Sequence, residues 1–313
     1  MEQRTLGKSG LLVSVVGLGC NNFGGRTDAE GSRKVIHKAL DLGITLFDTA
    51  DIYANKGGSE TVMGDILGSR RKDIVLATKF CGPMDADNKL KGASRRYIMT
   101  AVEASLKRLK TDWIDLYQIH MPDPLTPMEE TLRALDDLVH SGKVRYIGCS
   151  NHKSWQVVEA EWISRRDGIA RFISCQDEYS LIVRDAEKEL IPAMQAYGIG
   201  LLPYFPLASG LLTGKYKRNA PMPEKARLSY VQNLADRYLT DANWQIVEKL
   251  EGFAARNGKS MLELAFSWLA CQPTVASVIA GATKPEQLEQ NVAAAGWKLT
   301  AENLAEIDKL SGR

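Results

Sequence analysis

The chain alternates eight times between a short apolar run and a longer stretch of helical periodicity. The apolar runs are rich in Val, Ile and Leu and lack strict polar alternation, which is typical of parallel strands covered on both faces. The predicted strands span 15–19, 46–48, 74–79, 116–120, 146–150, 172–176, 200–204 and 278–280. Because the alternation continues without a break in composition, it predicts one domain over residues 1–313, a single (β/α)8 TIM barrel of the α/β class.

The predicted helices have recognisable N-termini. They span 28–42, 59–67, 94–109, 127–141, 154–166, 188–197, 241–256, 260–271, 285–295 and 301–310. Four hydroxyl residues are each followed three positions later by glutamate, a pattern that predicts a capping box. These pairs are Thr27 with Glu30, Thr126 with Glu129, Ser260 with Glu263, and Thr283 with Glu286. Outside the repeat, residues 4–6 and 12–14 predict an N-terminal β-hairpin below the barrel, and the C-terminal part predicts extra helices.

The charge balance and the hydropathy of the chain argue against nucleic-acid and membrane partners. The 313 residues carry 40 Lys and Arg against 38 Asp and Glu, so the net charge is only +2. This balance argues against a nucleic-acid partner, which favours a dense basic face. No apolar run approaches the ~20 residues of a membrane span. The first residues contain no long apolar region, so the sequence does not predict a signal peptide. We therefore expect a cytoplasmic protein without a membrane partner, and the sequence leaves open whether it forms a homo-oligomer.

Three other kinds of site find no support in the sequence. The five cysteines show no CxxC spacing, so we interpret them as reduced thiols and expect no disulfide framework or zinc site. The four histidines include no HxH pair of the kind that a barrel metallohydrolase needs. Gly17 and Gly19 do not form a GxGxxG dinucleotide motif, because Asn22 stands where the third glycine belongs.

Four residues able to carry protons or charge follow three successive predicted strands. Asp48, Lys79 and His120 end the second, third and fourth strands, and Tyr53 lies in the loop after the second. In a barrel, the C-terminal ends of the strands form the rim where catalysis takes place. Each residue alone has an ordinary interpretation, since a lysine after a strand is usually a surface charge. Together they predict a convergent site.

The combination of these residue types indicates a particular chemistry. A phenol with a pKa near 10 is a weak acid at neutral pH, and a nearby ammonium lowers that pKa. A carboxylate can hold the ammonium in place, and a histidine can hydrogen-bond a carbonyl oxygen. The set suits carbonyl reduction with Tyr53 as general acid, for which a nicotinamide cofactor would supply the hydride.

Motifs along nearly the whole chain resemble those of the aldo-keto reductase superfamily. They are Asp48 and Tyr53 followed by GGSE, Lys79, His120, IGCSN at 147–151, Gln176, YFPLASGLLTGKY at 204–216, and GATKPEQLEQN at 281–291. The similarity is to the bacterial and potassium-channel-β-subunit-like branches, more than to mammalian aldose reductases. It implies NADP(H)-dependent reduction of a small-molecule carbonyl substrate, with Asp48, Tyr53, Lys79 and His120 as the catalytic residues.

The resemblance also implies a cofactor site. The carboxamide of the nicotinamide would be held by Ser150, Asn151 and Gln176, and Tyr204 would stack on the nicotinamide ring. Beside the pyrophosphate would lie Phe205, Leu207, Gly210, Leu211 and Lys215. Around the adenosine end would lie Gly281, Thr283, Lys284, Gln287, Gln290 and Asn291.

The chain departs from the mammalian branch near the 2′-phosphate of the cofactor. A lysine and an arginine hold that phosphate in the mammalian enzymes, whereas Gly281 and Gln287 occupy the matching positions here. Lys284 is the remaining cation in this segment, and a cation beside the phosphate favours NADP over NAD. Candidate residues for lining the substrate pocket are Asn21, Asn22, Phe80, Met121 and Tyr230.

The resemblance leaves a second function open. Channel β-subunits share the barrel and the cofactor site, and act chiefly as redox-sensing partners. The alternative prediction is therefore an NADP(H)-binding regulatory subunit with little turnover.

Overall fold

The computed structural model describes residues 1–224 and 226–312. It contains an N-terminal antiparallel hairpin, formed by β1 (Gln3–Thr5) and β2 (Leu12–Ser14). The barrel strands are β3 (Val16–Gly19), β4 (Leu46–Asp48), β5 (Val75–Phe80), β6 (Ile114–Ile119), β7 (Val144–Ser150), β8 (Phe172–Glu178), β9 (Gly200–Tyr204) and β10 (Val278–Gly281). These elements confirm the predicted (β/α)8 barrel and its hairpin.

The eight barrel strands are parallel and form a nearly closed ring. Their order is β10-β3-β4-β5-β6-β7-β8-β9. A parallel bridge between Leu201 and Val275 joins the two ends of this order. There the Leu201 N–H donates to the Thr274 carbonyl at 2.7 Å, and the Ala276 N–H donates to the Leu201 carbonyl at 3.1 Å. Because all strands run the same way, their C-terminal ends share one rim.

Helices surround the ring. They are α1 (Ala29–Asp41), α2 (Tyr53–Leu67), α3 (Arg95–Leu109), α4 (Met128–His140), α5 (Ser154–Asp167), α6 (Leu190–Tyr197), α7 (Gln232–Tyr238), α8 (Asp241–Arg256), α9 (Met261–Cys271), α10 (Pro285–Ala294) and α11 (Ala301–Leu310). The main core lies between the helices and the strands. A smaller apolar cluster joins the hairpin residues Leu6 and Val13 to Leu46, Leu116 and Leu202 of the strands. The hairpin therefore plugs the bottom of the barrel. Across residues 1–224 and 226–312, none of the helices has the length and hydropathy to span a membrane.

One of the four predicted capping boxes is confirmed, at the start of α9. The Ser260 hydroxyl accepts a hydrogen bond from the Glu263 N–H at 3.2 Å, and the Glu263 carboxylate accepts one from the Ser260 N–H at 2.9 Å. The reciprocal pair satisfies two donors that the helix start would otherwise leave unpaired.

The other three predicted capping boxes are wrong. At α1 the cap is Asp28, whose carboxylate accepts a backbone N–H of the first turn at 2.8 Å, while the Thr27 hydroxyl is buried. At α4 the N-cap residue is Pro127, which has no polar side chain. At α10 the side-chain oxygen of Gln287 accepts from the Thr283 N–H at 2.7 Å. At α1 and α10 a neighbouring side chain accepts in place of the predicted one, and at α4 no side chain caps the helix.

Ser260→Ala should lower the free energy of unfolding by about 1 kcal/mol, because α9 loses its N-cap acceptor. Thr27→Val is the matched control, since the Thr27 hydroxyl makes no hydrogen bond with the described residues and its loss should cost little. Urea unfolding followed by circular dichroism measures both changes. An equal loss of stability in the two variants would contradict the conclusion that Ser260 caps its helix and Thr27 does not.

Candidate active site

The side chains of Asp48, Tyr53, Lys79 and His120 meet at the C-terminal rim of the barrel. The Lys79 ammonium donates to Asp48 Oδ1 at 2.6 Å and to the Thr49 carbonyl at 2.8 Å. The Tyr53 hydroxyl lies 3.5 Å from Lys79 Nζ. The ring of Tyr53 meets the imidazole of His120 edge to face, with ring centroids 5.7 Å apart. The structure therefore brings together the four residues that the sequence predicts to be catalytic.

The charges of the site act on each other through a buried environment. Burial raises the pKa of Tyr53, and the Lys79 ammonium acts in the opposite direction without cancelling the rise. The net direction is thus the reverse of the simple expectation that Lys79 lowers this pKa. Burial alone would lower the pKa of Lys79, but Asp48 and Tyr53 outweigh it and raise that pKa. Burial and Lys79 together lower the pKa of His120 to about 3, so its imidazole is neutral at neutral pH.

Two amide side chains hold the second oxygen of Asp48. Gln118 Nε2 donates to Asp48 Oδ2 at 3.2 Å, and Gln176 Nε2 donates to the same oxygen at 3.0 Å. These residues come from β4, β6 and β8, which are alternate strands of the ring. Alternate strands supply the side chains of one interior layer in such barrels. Gln118 was missed in the sequence, although a polar residue two positions before His120 in an apolar strand was a usable signal.

Tyr53 begins α2, where the sequence predicts a loop and places the helix start at residue 59. The next residues, Ala54, Asn55 and Lys56, have φ values of 52°, 59° and 66°. This left-handed conformation costs each non-glycine residue about 1–2 kcal/mol, and such strain is concentrated at functional sites. Gly57 follows with φ 113°, and a Cβ there would lie 2.5 Å from Arg108 Cδ. Close packing of Arg108 thus requires glycine at the end of the turn.

The residues predicted to hold the nicotinamide are hydrogen-bonded to one another and to the catalytic site. Asn151 Nδ2 donates to the His120 carbonyl at 2.8 Å and to the Ser150 hydroxyl at 3.0 Å. The Tyr204 hydroxyl donates to Asn151 Oδ1 at 2.8 Å. Gln176 joins the set through its bond to Asp48. These contacts fix the amide and phenol groups before any ligand binds.

Three cations gather at the loop that follows β9. Burial and the charge of Arg26 lower the pKa of Lys215, and the same two causes lower the pKa of Arg227. The Arg227 guanidinium lies 5.3 Å from the ring centroid of Phe205, and that of Arg26 lies 5.0 Å from the ring of Tyr230. Arg26 lies in a loop and Arg227 begins a single 3-10 turn, Arg227–Ser229, so both were missed because no periodicity predicts the direction of their side chains.

The other predicted cofactor residues lie along this loop and at α10. Leu207 and Gly210 are half-buried, and the Leu211 side chain is fully buried. Asn291 of α10 is buried. The predicted cofactor residues at the end of β10 and at the start of and along α10 are Gly281, Thr283, Lys284, Gln287, Gln290 and Asn291. A Cβ on Gly281 would lie 3.1 Å from Asn22 Nδ2, so the loop after β3 approaches the end of β10.

The "Aldo/keto reductase family" model matches residues 15–311. The chain belongs to the aldo/keto reductase family. It is 39% identical over 304 residues to a "Probable voltage-gated potassium channel subunit beta" of Oryza sativa subsp. japonica, covering 94% of this chain and 91% of the relative. It is 36% identical over 319 residues to the "L-glyceraldehyde 3-phosphate reductase" of Escherichia coli (strain K12), covering 99% and 92%. An "Uncharacterized oxidoreductase" of Bacillus subtilis (strain 168) is 36% identical over 321 residues, covering 99% and 96%. Family membership and these relatives support an oxidoreductase.

Two of the predicted pocket-lining residues of this aldo/keto reductase are buried. Phe80 is fully buried and stacks on Tyr117, with ring centroids 4.7 Å apart, so its assignment to the pocket is wrong. Asn22 is also buried, whereas Met121 and Tyr230 are exposed and Asn21 is half-buried. Strand alternation places Phe80 on the helix side of β5, opposite Lys79.

The five cysteines are free, and all except Cys271 are buried. Residues 1–224 and 226–312 contain no group of three or more His, Cys, Asp or Glu side chains arranged to hold a metal ion.

Asp51 is a buried acid that the sequence analysis overlooked. Neither of its carboxyl oxygens has a hydrogen-bond partner among the described residues. Burial and the nearby Glu60 carboxylate raise the pKa of Asp51 to about 8. The native protein therefore keeps this group protonated over a pH range in which the unfolded chain has released the proton.

Asp51→Asn should stabilise the protein at alkaline pH. The unfolded chain loses this proton near pH 4 and the native protein near pH 8, so wild-type stability falls between those values. Each pKa unit corresponds to about 1.4 kcal/mol, so the gain should reach the order of a few kcal/mol above pH 8. It should be small near pH 4. Urea unfolding of wild type and Asp51→Asn between pH 4 and pH 9 measures the difference in stability.

Asp112→Asn is the control for this experiment, because it neutralises an exposed carboxylate. It should change stability little at any pH. If the gap between Asp51→Asn and wild type were the same at pH 5 and at pH 9, the buried proton would not be its cause.

Proposed function

We propose that this protein reduces an aldehyde or ketone to the alcohol with NADPH, using Tyr53 as the general acid. The contacts of Lys79 carry the proposal, since this fully buried ammonium bonds Asp48 and lies 3.5 Å from the Tyr53 hydroxyl. A buried lysine held by a carboxylate beside a phenol is an arrangement suited to proton transfer.

The residues around the rim fit a dinucleotide phosphate. After burial, the charge of Arg26 is the next cause that lowers the pKa of both Lys215 and Arg227, so the three cations lie near one another and suit an anionic ligand. Gln176 Nε2 donates a hydrogen bond to Asp48. Its Oε1 accepts no hydrogen bond from the described residues and could accept one from the N–H of the nicotinamide carboxamide. Ser150 and Asn151 supply further polar groups. When bound, NADPH would supply the hydride.

The roles of the four central residues follow from their environments. Tyr53 keeps its proton at neutral pH because burial raises its pKa, and gives it up when negative charge develops on the substrate oxygen. Lys79 then stabilises the phenolate, and Asp48 holds Lys79 in place. Neutral His120 can donate an N–H to the carbonyl oxygen without adding a positive charge near Lys79.

Tyr53→Phe should reduce kcat for aldehyde reduction by about 10²–10⁴-fold, because the general acid is lost. Affinity for NADPH, measured by fluorescence titration, should change little. Tyr146→Phe is the matched control, since it removes a phenol hydroxyl near the apolar cluster at the bottom of the barrel. A Tyr53→Phe variant with near-normal kcat, or one that no longer binds NADPH, would remove Tyr53 from this role.

Preference for NADP over NAD is proposed to depend on Lys284, which is exposed at the N-terminus of α10. Lys284→Ala should raise KM for NADPH by roughly tenfold, because a charge-assisted contact to the 2′-phosphate is lost, and leave KM for NADH nearly unchanged. Lys298→Ala, at another exposed lysine, is the control. Equal rises for both cofactors would place Lys284 away from the 2′-phosphate.

A second candidate is a redox-sensing regulatory subunit that binds NADP(H). The 39% identity to proteins named as potassium channel β-subunits favours it. The steady-state assay separates the two functions. An enzyme consumes many equivalents of NADPH per chain in excess aldehyde, whereas a sensor oxidises its bound cofactor once and stalls.

A further inference from the structure

One face of α5 presents two tryptophans to the solvent. The exposed fractions of Trp155 and Trp162 are 59% and 58%. The two are seven residues apart, about two helical turns, and Glu159 and Arg166 lie on the same side at helical spacing. We name Trp155, Glu159, Trp162 and Arg166 the α5 stripe. None of the four is a catalytic residue or a predicted cofactor residue of this chain.

A groove of about 780 Å³ lies beside the stripe, between α4 and α5. Its apolar walls include Pro127, Met128 and Ile163, and Trp162 lies at its edge. Proteins that act alone rarely expose a contiguous apolar patch of this kind, and tryptophan is the residue most enriched at the energetic centres of protein interfaces. The surface has the composition of an interface.

The orientation of Trp162 is fixed in the isolated chain. Its indole N–H donates to the Tyr197 hydroxyl of α6 at 3.2 Å. Because the ring already has a fixed position, docking against it costs little side-chain entropy. The face is thus preorganised for contact.

The charges of the stripe indicate what would cover it. Glu159 makes no hydrogen bond or ion pair with the residues that the structure describes, and it lies in the N-terminal half of α5. Arg165 and Arg166 lie in the C-terminal half, where Arg166 contacts Asp167 and Glu129. Arg165 is paired with Glu161 at 2.6 Å, so Arg166 is the arginine of the stripe. An antiparallel second α5 would place its Arg166 between Glu159 and Trp155, where ion pairing and cation–π contact are favourable. A parallel α5 would place like charges together.

We propose that the α5 stripe and its groove form a two-fold interface between two copies of this chain. A two-fold axis near the middle of α5 makes every contact twice, so the pairing of Glu159 with Arg166 forms in both subunits. The exposed surfaces of Trp155 and Trp162 from both copies would contribute on the order of 500 Å² of buried area. The groove walls and the neighbouring faces of α4 and α6 would have to supply the remainder of the ~1,200 Å² that a stable interface needs.

Sedimentation velocity of the full chain over a micromolar to sub-millimolar range tests the proposal. Wild type should sediment as a dimer, or as an assembly of dimers, of the 34.6 kDa chain. The double variant Trp155→Glu with Trp162→Glu should be monomeric, with an unchanged circular dichroism spectrum. Leu12→Glu, which alters an exposed leucine of the hairpin, is the control and should remain dimeric. A monomeric wild type overturns the proposal, as does a double tryptophan variant that still dimerises.

A charge exchange tests the antiparallel arrangement. Glu159→Arg alone and Arg166→Glu alone should each weaken dimerisation by roughly tenfold or more, because like charges then meet across the two-fold axis. The two changes combined should restore it, because each acid again faces a base. Failure of the combined variant to recover, when both single variants are weakened, would overturn this pairing.

Discussion

The buried pair of Lys79 and Asp48 is the interaction on which the rim of the barrel depends. The two side chains are 0% and 4% exposed, and 2.6 Å separates their charged atoms. Loss of either partner would leave an unpaired charge in the interior, at a cost of about 3–5 kcal/mol. The pair persists because Gln118, Gln176 and the Thr49 carbonyl satisfy its remaining hydrogen-bonding groups. The alternate strands β6 and β8 therefore need polar residues at this level.

This requirement explains the polar network that continues around the ring. From the Tyr53–His120 contact, hydrogen bonds lead through the His120 carbonyl to Asn151 and on to Tyr204. Although Asn151 is exposed and Tyr204 is half-buried, these hydrogen bonds restrict the rotation of both side chains. The geometry of the site is thus a property of the folded barrel itself.

The sequence predicted those features that depend on periodicity and on strand ends. Asp48, Lys79 and His120 could be found because each closes an apolar run, and the register of parallel strands then brings them to one rim. Gln118 was missed although its spacing from His120 was a usable signal, because that spacing shows the side of the sheet only when the orientation of His120 is considered with it. The wrong assignment of Phe80 has the same origin.

Loops and helix starts were less predictable for a different reason. Arg26 and Arg227 come together through backbone paths that no repeat governs. Thr27 lost its expected role to Asp28, one residue away, because a small rotation of the chain decides which side chain reaches the free N–H groups. Such choices follow from local geometry, which residue type alone does not determine.

The hydrogen bond between Gln176 and Asp48 joins β8 to β4, strands on opposite sides of the ring. The acid–base residues come from the first four barrel strands and the loops that follow them, and the amide groups at β7 and β8 come from the last four. Neither half alone contains a complete site. Ring closure is therefore what creates the reaction centre, so a folding intermediate with only β3 to β6 assembled would hold a proton donor with no partner across the barrel.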